Sequence, residues 1–316
     1  MELNLINKKI GVVGYGSQAK RILEILKQKK LKPHCIYKAK KKNTDPKFVT
    51  DNSKFLEECN VIFICSPNDT HLDYIKRLYQ DRYIYCEKPP VNKVSDIEEI
   101  KKINSKFLYF NFNYRFSLIS QIISNRDKYK LGNILSGNFT WTQGLASKKN
   151  FSSSWRSDKK ICPKGAFEIL GSHILDLISF HFNIKEVVVK LSSFSKIGTA
   201  PDTAQFNIEL ENNSIISCLV SYFAPFIEKQ MLVFENGYII SDEKSISVRG
   251  PRDVFDEKGF FKMPPALHIE NLNQIDDFNQ SITRSVEYFL DIVKNEKIFE
   301  SKYLDKSLIT NQILLK

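Results

Sequence analysis

The chain has 316 residues, of which 42% are hydrophobic and 26% are charged. This length predicts about two domains, and the composition excludes a disordered, collagenous or disulfide-scaffold protein. The six cysteines include no C-x-x-C pair, so their spacing predicts neither a zinc site nor a disulfide framework. A reducing, cytoplasmic setting is therefore expected.

Basic residues outnumber acidic residues by 47 to 36, which gives a net charge of +11. The lysines are scattered, with tight clusters only at residues 27–32 and 38–42, and no stripe of arginine and aromatic residues accompanies them. A solvated, lysine-rich surface explains this charge, and attraction of an anionic cofactor or substrate is the alternative. Nucleic acid is not an expected partner.

The N-terminal sequence has no positively charged stretch before a long apolar run, so it does not have the pattern of a signal peptide. The apolar stretches elsewhere are too short and too interrupted to cross a bilayer, so no membrane partner is expected. The five histidines are scattered, and we expect no metal site.

In the first third of the chain, short apolar runs alternate with amphipathic segments. The runs are typical of buried strands, and the segments between them are typical of helices. Fully apolar strands that alternate with helices predict a parallel α/β sheet covered on both faces. The predicted strands are residues 9–13, 32–37, 61–65, 83–86 and 107–112, and the predicted helices are residues 17–30, 69–80 and 95–104.

After about residue 115 the pattern changes to strand-like runs with short polar breaks. Asn212-Asn213 and Asn236-Gly237 are typical hairpin turns, so these runs predict an antiparallel sheet. One helix, residues 166–182, is expected on one face of that sheet, and residues 276–295 and 301–315 are expected to form closing helices. The predicted strands are residues 134–143, 186–193, 203–211, 214–223, 230–235 and 238–241.

The segment Gly14-Tyr15-Gly16-Ser17-Gln18-Ala19 reads G-x-G-x-x-A between the first strand and the first helix. Gly14 permits a tight turn, Gly16 lets backbone N–H groups approach a pyrophosphate, and Ala19 allows close packing of the helix on the strand. The N-terminus of the helix then faces the anion. The motif predicts a dinucleotide site, and a glycine turn in an unrelated doubly wound fold is the alternative.

The residues about 20 positions further on indicate which dinucleotide is bound. NAD-binding chains usually carry Asp or Glu there, whereas this chain reads Tyr37-Lys38-Ala39-Lys40-Lys41-Lys42. No carboxylate in this run is available to the ribose 2′-hydroxyl, and lysine suits a 2′-phosphate. The sequence therefore favours NADP(H) over NAD(H), with Lys38 as a ligand, and a solvated lysine loop is the alternative.

A lysine follows the fourth predicted strand directly, in the sequence Glu87-Lys88-Pro89. That position is at the carboxyl edge of the sheet, where ligands of such sheets bind. Burial would lower the pKa of Lys88 and make it a usable proton carrier. An ordinary loop is the alternative, and a cis bond before Pro89 or Pro90 is left open.

Several short motifs occur in order along the chain. They are residues 14–19 (GYGSQA), 66–71 (SPNDTH), 87–89 (EKP), 113–116 (NYRF), 131–134 (LGNI), 155–156 (WR) and 171–176 (GSHILD). No single motif is diagnostic, but the ordered set resembles the Gfo/Idh/MocA family of glucose–fructose oxidoreductase and inositol dehydrogenase-like enzymes. The resemblance covers residues 8 to about 180.

The resemblance implies an α/β fold with a Rossmann doubly wound parallel sheet and a second α/β domain with an open, mostly antiparallel sheet. Residues 1–115 would bind the dinucleotide. Residues 116–316 would bind substrate and form a homodimer or homotetramer through the open sheet, although the last helix could pack back on the first domain.

The resemblance also implies site residues. The turn Ser66-Pro67-Asn68, with His71, would lie beside the nicotinamide riboside. Glu87 and Lys88 would contact the cofactor, and Lys88 would be the catalytic lysine. These residues join Gly14, Tyr15, Gly16, Ser17, Gln18 and Lys38 as the expected cofactor ligands.

The second catalytic segment of the family resembles D-x-G-x-H-x-x-D on a helix. Here Ile169 replaces the first Asp, while His173 and Asp176 are present. On an α-helix Ile169 and His173 share a face, and Glu168 points about 100° away. Either Lys88 and His173 suffice for catalysis, one as proton carrier and one as orienting group, or the site has lost turnover and only binds its ligands. His173 could also be a packed helix histidine.

Further residues are candidates for substrate binding because arginine beside aromatic rings suits a sugar ring or an attached phosphate or carboxylate. Core tryptophans and a structural arginine salt bridge are the alternative. The candidates are Asn113, Arg115, Trp141, Trp155 and Arg156, together with Ile169 and His173.

The expected activity is an NAD(P)-dependent oxidoreduction of CH–OH or C=O groups. NADPH-dependent reduction of a keto-sugar or sugar nucleotide is favoured. The alternative is a non-catalytic protein of the same fold that senses a dinucleotide, and the replacement of Asp by Ile169 is its main support.

Overall fold

Residues 8–40, 42–46, 49–103, 105–242 and 244–316 are described by the computed structural model. The described residues up to Asn113 form one unit together with Ile282–Lys316, and Tyr114–Ser281 form a second unit. This division differs from the predicted boundary after residue 115, because it returns Ile282–Lys316 to the first unit. In that unit Leu308 packs in the core, and the Asn311 side chain hydrogen-bonds the backbone of Val91 in both directions.

Fourteen strands and seven α-helices are formed by the described residues. The strands are β1 (Ile10–Val13), β2 (Cys35–Tyr37), β3 (Val49–Thr50), β4 (Val61–Ile64), β5 (Tyr83–Glu87), β6 (Leu108–Asn111), β7 (Ile134–Thr142), β8 (Ile184–Ser192), β9 (Thr203–Leu210), β10 (Ile215–Ser221), β11 (Ile227–Phe234), β12 (Gly237–Ser241), β13 (Ser245–Arg249) and β14 (Ala266–Asn271). The helices are α1 (Ser17–Gln28), α2 (His71–Leu78), α3 (Val94–Ile103), α4 (Leu118–Ser124), α5 (Ser172–His181), α6 (Gln274–Lys294) and α7 (Ser301–Leu315).

The first unit contains a six-stranded parallel sheet in the order β3-β2-β1-β4-β5-β6, which confirms the predicted doubly wound sheet. Every residue of β1, β4 and β6 is buried, so these strands carry no polar alternation. The strand order reverses beside β1. The carboxyl ends of β1 and β4 therefore frame the crevice in which sheets of this kind bind ligands.

An aromatic core joins α6 to this sheet. The Phe289 ring lies 5.2 Å from the ring of Phe63 and 5.4 Å from that of Tyr85, both in edge-to-face geometry. Aromatic pairs at such separations stabilise by about 0.5–1.5 kcal/mol beyond their buried area. This packing explains why the chain after residue 281 belongs with the parallel sheet.

The second unit contains an eight-stranded sheet in the order β14-β13-β12-β11-β7-β10-β9-β8. All neighbours are antiparallel except β7 and β10, which confirms the predicted, mostly antiparallel sheet. Buried and exposed residues alternate along β9 and β11, as expected for a sheet with one covered face. Asn213, with φ of 64°, forms one of the two predicted hairpin turns.

Four elements were not predicted: β3, α4, β13 and β14. β3 has two residues, too few for a pattern. β13 alternates polar and apolar residues over only five positions, and β14 has no clean period of two. Lys41 of the predicted lysine cluster and Asn104 at the end of a predicted helix lie outside the described residues. In the described part of the chain, no helix combines the length and the apolar character needed to cross a membrane.

Candidate active site

The turn between β1 and α1 has the form of a phosphate-binding loop. Gly14 has φ of +94°, and a Cβ on it would lie 2.7 Å from the carbonyl oxygen of Cys65, so only glycine fits there. A Cβ on Gly16 would meet nothing within 4 Å. The first turn of α1, from Ser17, holds no acidic residue that would neutralise its positive end. The loop therefore fits the pyrophosphate of a dinucleotide.

The side chains of the loop are held by neighbours on α1. The Lys20 ammonium group lies 5.2 Å from the centre of the Tyr15 ring, and Arg21 donates a 3.1 Å hydrogen bond to Gln18. Gln18 also hydrogen-bonds the Glu87 carboxyl group and so lowers the pKa of Glu87. This last contact connects the loop after β1 to the end of β5.

A carboxylate in the loop after β2, beyond the lysine run of the sequence analysis, pairs with Lys38. The ammonium group of Lys38 donates to both oxygens of Asp45 at 2.8 and 3.0 Å, and the Lys42 N–H donates to Asp45 at 2.7 Å. These contacts lower the pKa of Asp45. Lys38 is therefore already paired with an internal carboxylate, seven residues on, that the local lysine pattern did not reveal.

His71 connects two turns at the carboxyl edge of the sheet. Its side chain is fully buried, with Nδ1 3.0 Å from the Pro89 carbonyl oxygen and Nε2 3.0 Å from that of Ser66. Burial lowers the pKa of His71, although both carbonyl oxygens oppose that effect. Because the ring is covered, it fixes the turns around Pro67 and Pro89 instead of offering a surface to the cofactor.

The end of β5 holds Glu87 in a polar chain. The Asn111 side-chain amide donates to Glu87 at 2.9 Å, and Ser285 donates to the side-chain oxygen Oδ1 of Asn111 at 2.8 Å. The Ser285 and Tyr109 hydroxyls lie 2.8 Å apart. Burial raises the pKa of Glu87, and Asn111 is the strongest opposing influence, followed by Lys88. Sequence reasoning missed Asn111 and Ser285, although an asparagine that ends an apolar strand was a usable signal.

Lys88 follows this anchored carboxyl group and is half-buried. The Lys88–Pro89 peptide bond is cis, which answers the question that the sequence left open. Asn68, in the turn after β4, is half-buried, and Asn113 is buried two residues beyond the end of β6. The first unit thus presents its predicted cofactor residues along the carboxyl ends of β1, β2, β4 and β5.

In the second unit, His173 lies in a box of aromatic rings. Its ring centre is 5.5 Å from that of Trp141, 5.6 Å from that of Phe278 and 6.1 Å from that of Tyr114. His173 and Trp141 are buried. The Trp141 indole N–H is also buried and has no acceptor among the described residues, so it is a donor that a bound oxygen could use.

The helix that carries His173 is not α-helical throughout, contrary to the prediction for residues 166–182. Phe167–Gly171 form a π-helix, and α5 begins at Ser172. Hydrogen bonds in a π-helix join residues five apart. The predicted helix thus contains one wide turn directly before the α-helix that carries His173. Single π turns are frequent at functional sites.

Arg115 is part of a buried ion pair. Its Nε lies 2.8 Å from one Asp176 oxygen and its Nη2 lies 2.6 Å from the other, and its guanidinium carbon lies 4.8 Å from the centre of the Phe180 ring. Both side chains of the pair are at most 1% exposed. Arg115 therefore holds α5 in place, as the alternative interpretation proposed, and does not present a surface to substrate.

Trp155 and Arg156 form an open group. Trp155 is 44% exposed, and the Arg156 guanidinium carbon lies 4.5 Å from the centre of the Trp155 ring.

Two further titratable residues of the second unit were not among the predicted site residues, and one of them, Tyr222, is buried. Burial raises the pKa of Tyr222, and the Arg156 guanidinium opposes that rise. Lys164 is half-buried, which lowers its pKa, and the Glu168 carboxylate opposes that effect.

Family models match most of the chain. A model described as an oxidoreductase family with an NAD-binding Rossmann fold, GFO/IDH/MocA, matches residues 8–106. A model of the GFO/IDH/MocA C-terminal domain matches residues 123–244. No curated protein matches the chain at a significant level.

Solved structures match nearly the whole chain. An oxidoreductase domain protein from Kribbella flavida is 18% identical, with a TM-score of 0.78 over 98% of this chain and 95% of its own. Levoglucosan dehydrogenase, in complex with NADH and levoglucosan, is 17% identical, with a TM-score of 0.76 over 97% and 95%. A myo-inositol dehydrogenase from Corynebacterium glutamicum ATCC 13032 is 16% identical, with a TM-score of 0.73 over 97% and 94%. At these identities the similarity shows the fold.

Proposed function

The chain belongs to the Gfo/Idh/MocA family of NAD(P)-dependent oxidoreductases, which act on CH–OH or C=O groups, and from that premise we propose that it reduces a keto-sugar or keto-sugar nucleotide. The observation that carries the proposal is Lys88, a half-buried lysine at the carboxyl edge of the sheet that directly follows the hydrogen-bonded carboxyl group of Glu87. A lysine held there suits proton transfer at a carbonyl oxygen.

The loop after β1 supports the binding of a dinucleotide. Backbone N–H groups of Gly14, Gly16 and Ser17 would hold the pyrophosphate, with Tyr15 and Gln18 beside them. The bound reduced nicotinamide supplies the hydride. In the ketone-reducing direction Lys88 donates a proton to the substrate oxygen, so that the carbonyl becomes a hydroxyl, and the neutral amine then regains its proton from water. In the opposite direction the amine accepts the hydroxyl proton.

His173 is proposed to orient the substrate. It lies beside Trp141, whose buried N–H supports a further hydrogen bond to a sugar oxygen. Trp155 and Arg156 present an exposed aromatic and cationic surface that suits a sugar ring or the diphosphate of a sugar nucleotide. Ile169 contributes an apolar contact and cannot accept a hydrogen bond.

NADP(H) is the proposed cofactor, with Lys38 as the ligand of the 2′-phosphate. Use of NAD(H) is the second candidate, and Asp45 favours it, because a carboxylate next to Lys38 suits a ribose 2′-hydroxyl. In the NADP(H) candidate Lys38 contacts the 2′-phosphate, and in the NAD(H) candidate Asp45 contacts the ribose 2′-hydroxyl. Fluorescence titration with NADPH and with NADH separates them.

A homodimer or homotetramer through the open sheet is also proposed. Strand pairing puts four apolar side chains that are more than a third exposed on one face: Val188, Ile215, Met231 and Ile269. Exposed apolar patches of this kind mark contact surfaces. Light scattering on the purified chain should give a mass of two or four chains.

The direct test is turnover. The protein is titrated with reduced nicotinamide dinucleotides and then incubated with a panel of keto-sugars and keto-sugar nucleotides, while loss of reduced-nicotinamide absorbance is followed. Tight cofactor binding and turnover of at least one compound are expected. Cofactor binding without turnover of any compound, in either direction, would favour a dinucleotide-sensing protein, for which the absence of a carboxylate at Ile169 is the supporting observation.

A further inference from the structure

A buried carboxyl group lies close to the aromatic box of the second unit. Glu228, on β11, is 3% exposed. The Tyr114 hydroxyl donates to its Oε1 at 2.7 Å, and the Gln230 amide donates to the same oxygen at 3.3 Å and to the Tyr114 oxygen at 2.5 Å. In the part of the chain that the structure describes, no lysine, arginine or histidine forms an ion pair with Glu228.

The groups that face Glu228 make its charged form costly. Burial raises the pKa of Glu228 to about 7, the negative charge of Asp277 on α6 adds to that rise, and the Tyr114 hydrogen bond opposes it. Asp277 is held by the Leu118 N–H at 3.0 Å. The Gln274 amide reaches only the backbone carbonyl oxygen of Glu228, at 3.5 Å. The carboxyl group therefore changes charge within the neutral range without a compensating cation.

Tyr114 connects this carboxyl group to His173. Its ring stacks on Trp141 with centres 5.5 Å apart and an angle of 22°, and the same ring lies 6.1 Å from the imidazole in edge geometry. Trp141 in turn lies 5.5 Å from the imidazole. The phenol thus contacts Glu228 through its hydroxyl and the box through its ring.

We propose that Glu228 is a positioning residue for His173, which it holds through the Tyr114–Trp141 stack according to its own charge. The proposal rests on the role given to His173 above. Ionised Glu228 accepts the Tyr114 hydrogen bond and fixes the phenol. Neutral Glu228 still accepts through its carbonyl oxygen, but the hydrogen bond from Tyr114 is then no longer charge-assisted. The weaker bond holds the phenol less firmly, and the stack against His173 loosens.

Trp141 provides a test that needs neither cofactor nor substrate. The chain has two tryptophans, so in a Trp155→Phe background the emission reports Trp141 alone. Emission of this variant is followed between about pH 5.5 and 8.5. We expect one transition with a midpoint near 7, and we expect it to be absent when Glu228→Gln is added. Glu228→Gln keeps the shape and an acceptor for Tyr114.

Two further variants assign the transition. Tyr114→Phe removes the hydroxyl and should also abolish the transition, whereas His173→Asn should leave its midpoint in place. A transition that persists in Glu228→Gln, or one that only His173→Asn abolishes, overturns the proposal, because Trp141 would then report the imidazole itself. Circular dichroism checks that each variant is folded.

Turnover separates this inference from the proposed function. If the Trp141 transition behaves as expected but no substrate is turned over, the coupling stands and the proposed reaction fails. If a substrate is found, Glu228→Gln should remove the step near neutral pH from the kcat profile while leaving the affinity for the reduced dinucleotide unchanged. A kcat profile that retains the step contradicts the positioning role.

Discussion

Arg115 and Asp176 form a bidentate ion pair that is almost completely excluded from water. Such a pair is weak evidence of net stabilisation, but removal of one partner leaves an uncompensated buried charge. Arg115→Ala should therefore lower the free energy of unfolding by about 3–5 kcal/mol. Urea unfolding of Arg115→Ala and of the parent measures this difference.

The control is the exposed pair Lys101 and Glu98 on α3, whose side chains are at least half exposed. Lys101→Ala should leave the unfolding midpoint unchanged within error, since exposed pairs contribute little. Equal effects of Arg115→Ala and Lys101→Ala would show that the buried pair does not hold α5.

The two glycines of the phosphate loop should respond differently to a side chain. Gly14→Ala puts a Cβ against the Cys65 carbonyl at a positive φ, so it should lower the melting temperature. In Gly16→Val the new Cβ meets no protein atom within 4 Å, so the fold should be retained. The side chain should occupy the space of the pyrophosphate, so the affinity for NADPH and NADH should fall at least about tenfold. Binding by Gly16→Val at the parent affinity would exclude a pyrophosphate at this loop.

The Lys38–Asp45 pair should set the ratio of NADPH to NADH affinity. Lys38→Ala removes the cation and should shift the ratio toward NADH, and Asp45→Asn removes the internal carboxylate and should shift it toward NADPH, each by about one order of magnitude. Lys40→Ala, an exposed neighbour, is the matched control. If neither Lys38→Ala nor Asp45→Asn changes the ratio, the end of β2 does not contact the ribose.

These residues also show how far the sequence could reach. The apolar strands and the G-x-G-x-x-A turn are short-range signals, so both sheets and the tight turn at Gly14 were predicted correctly. Asp45 was missed because its partner Lys38 is seven residues away across a loop that has no periodicity. The π-helix before Ser172 was missed because hydrogen bonds between residues five apart leave no mark in a helical pattern.

Lys88 should be required for turnover but not for the fold. Lys88→Met removes the proton carrier, and Lys88→Arg puts in its place a cation that does not release its proton near neutral pH. Both variants should therefore lower kcat by about 10²–10⁴ on a substrate found in the panel. NADPH affinity should change much less than kcat. Lys93→Ala, an exposed lysine five residues on, should behave as the parent. Full activity in Lys88→Met would assign the proton transfer to another group.

His71 should make the stability of the first unit depend on pH. Its pKa in the folded chain is below the ordinary value of 6.5, because burial disfavours the charged ring. The unfolded chain therefore binds the proton more readily, so the contribution of His71 is complete above about pH 6.5 and is lost as the pH falls through the lowered value. Urea unfolding between about pH 5 and 8 should show a loss on the acid side that is smaller in His71→Asn. His34→Asn, at an exposed position, controls for titration elsewhere. If the free energy of unfolding falls equally with acid pH in the parent and in His71→Asn, the pKa of His71 is not lowered by folding. The two carbonyl oxygens would then stabilise the charged ring enough to offset its burial.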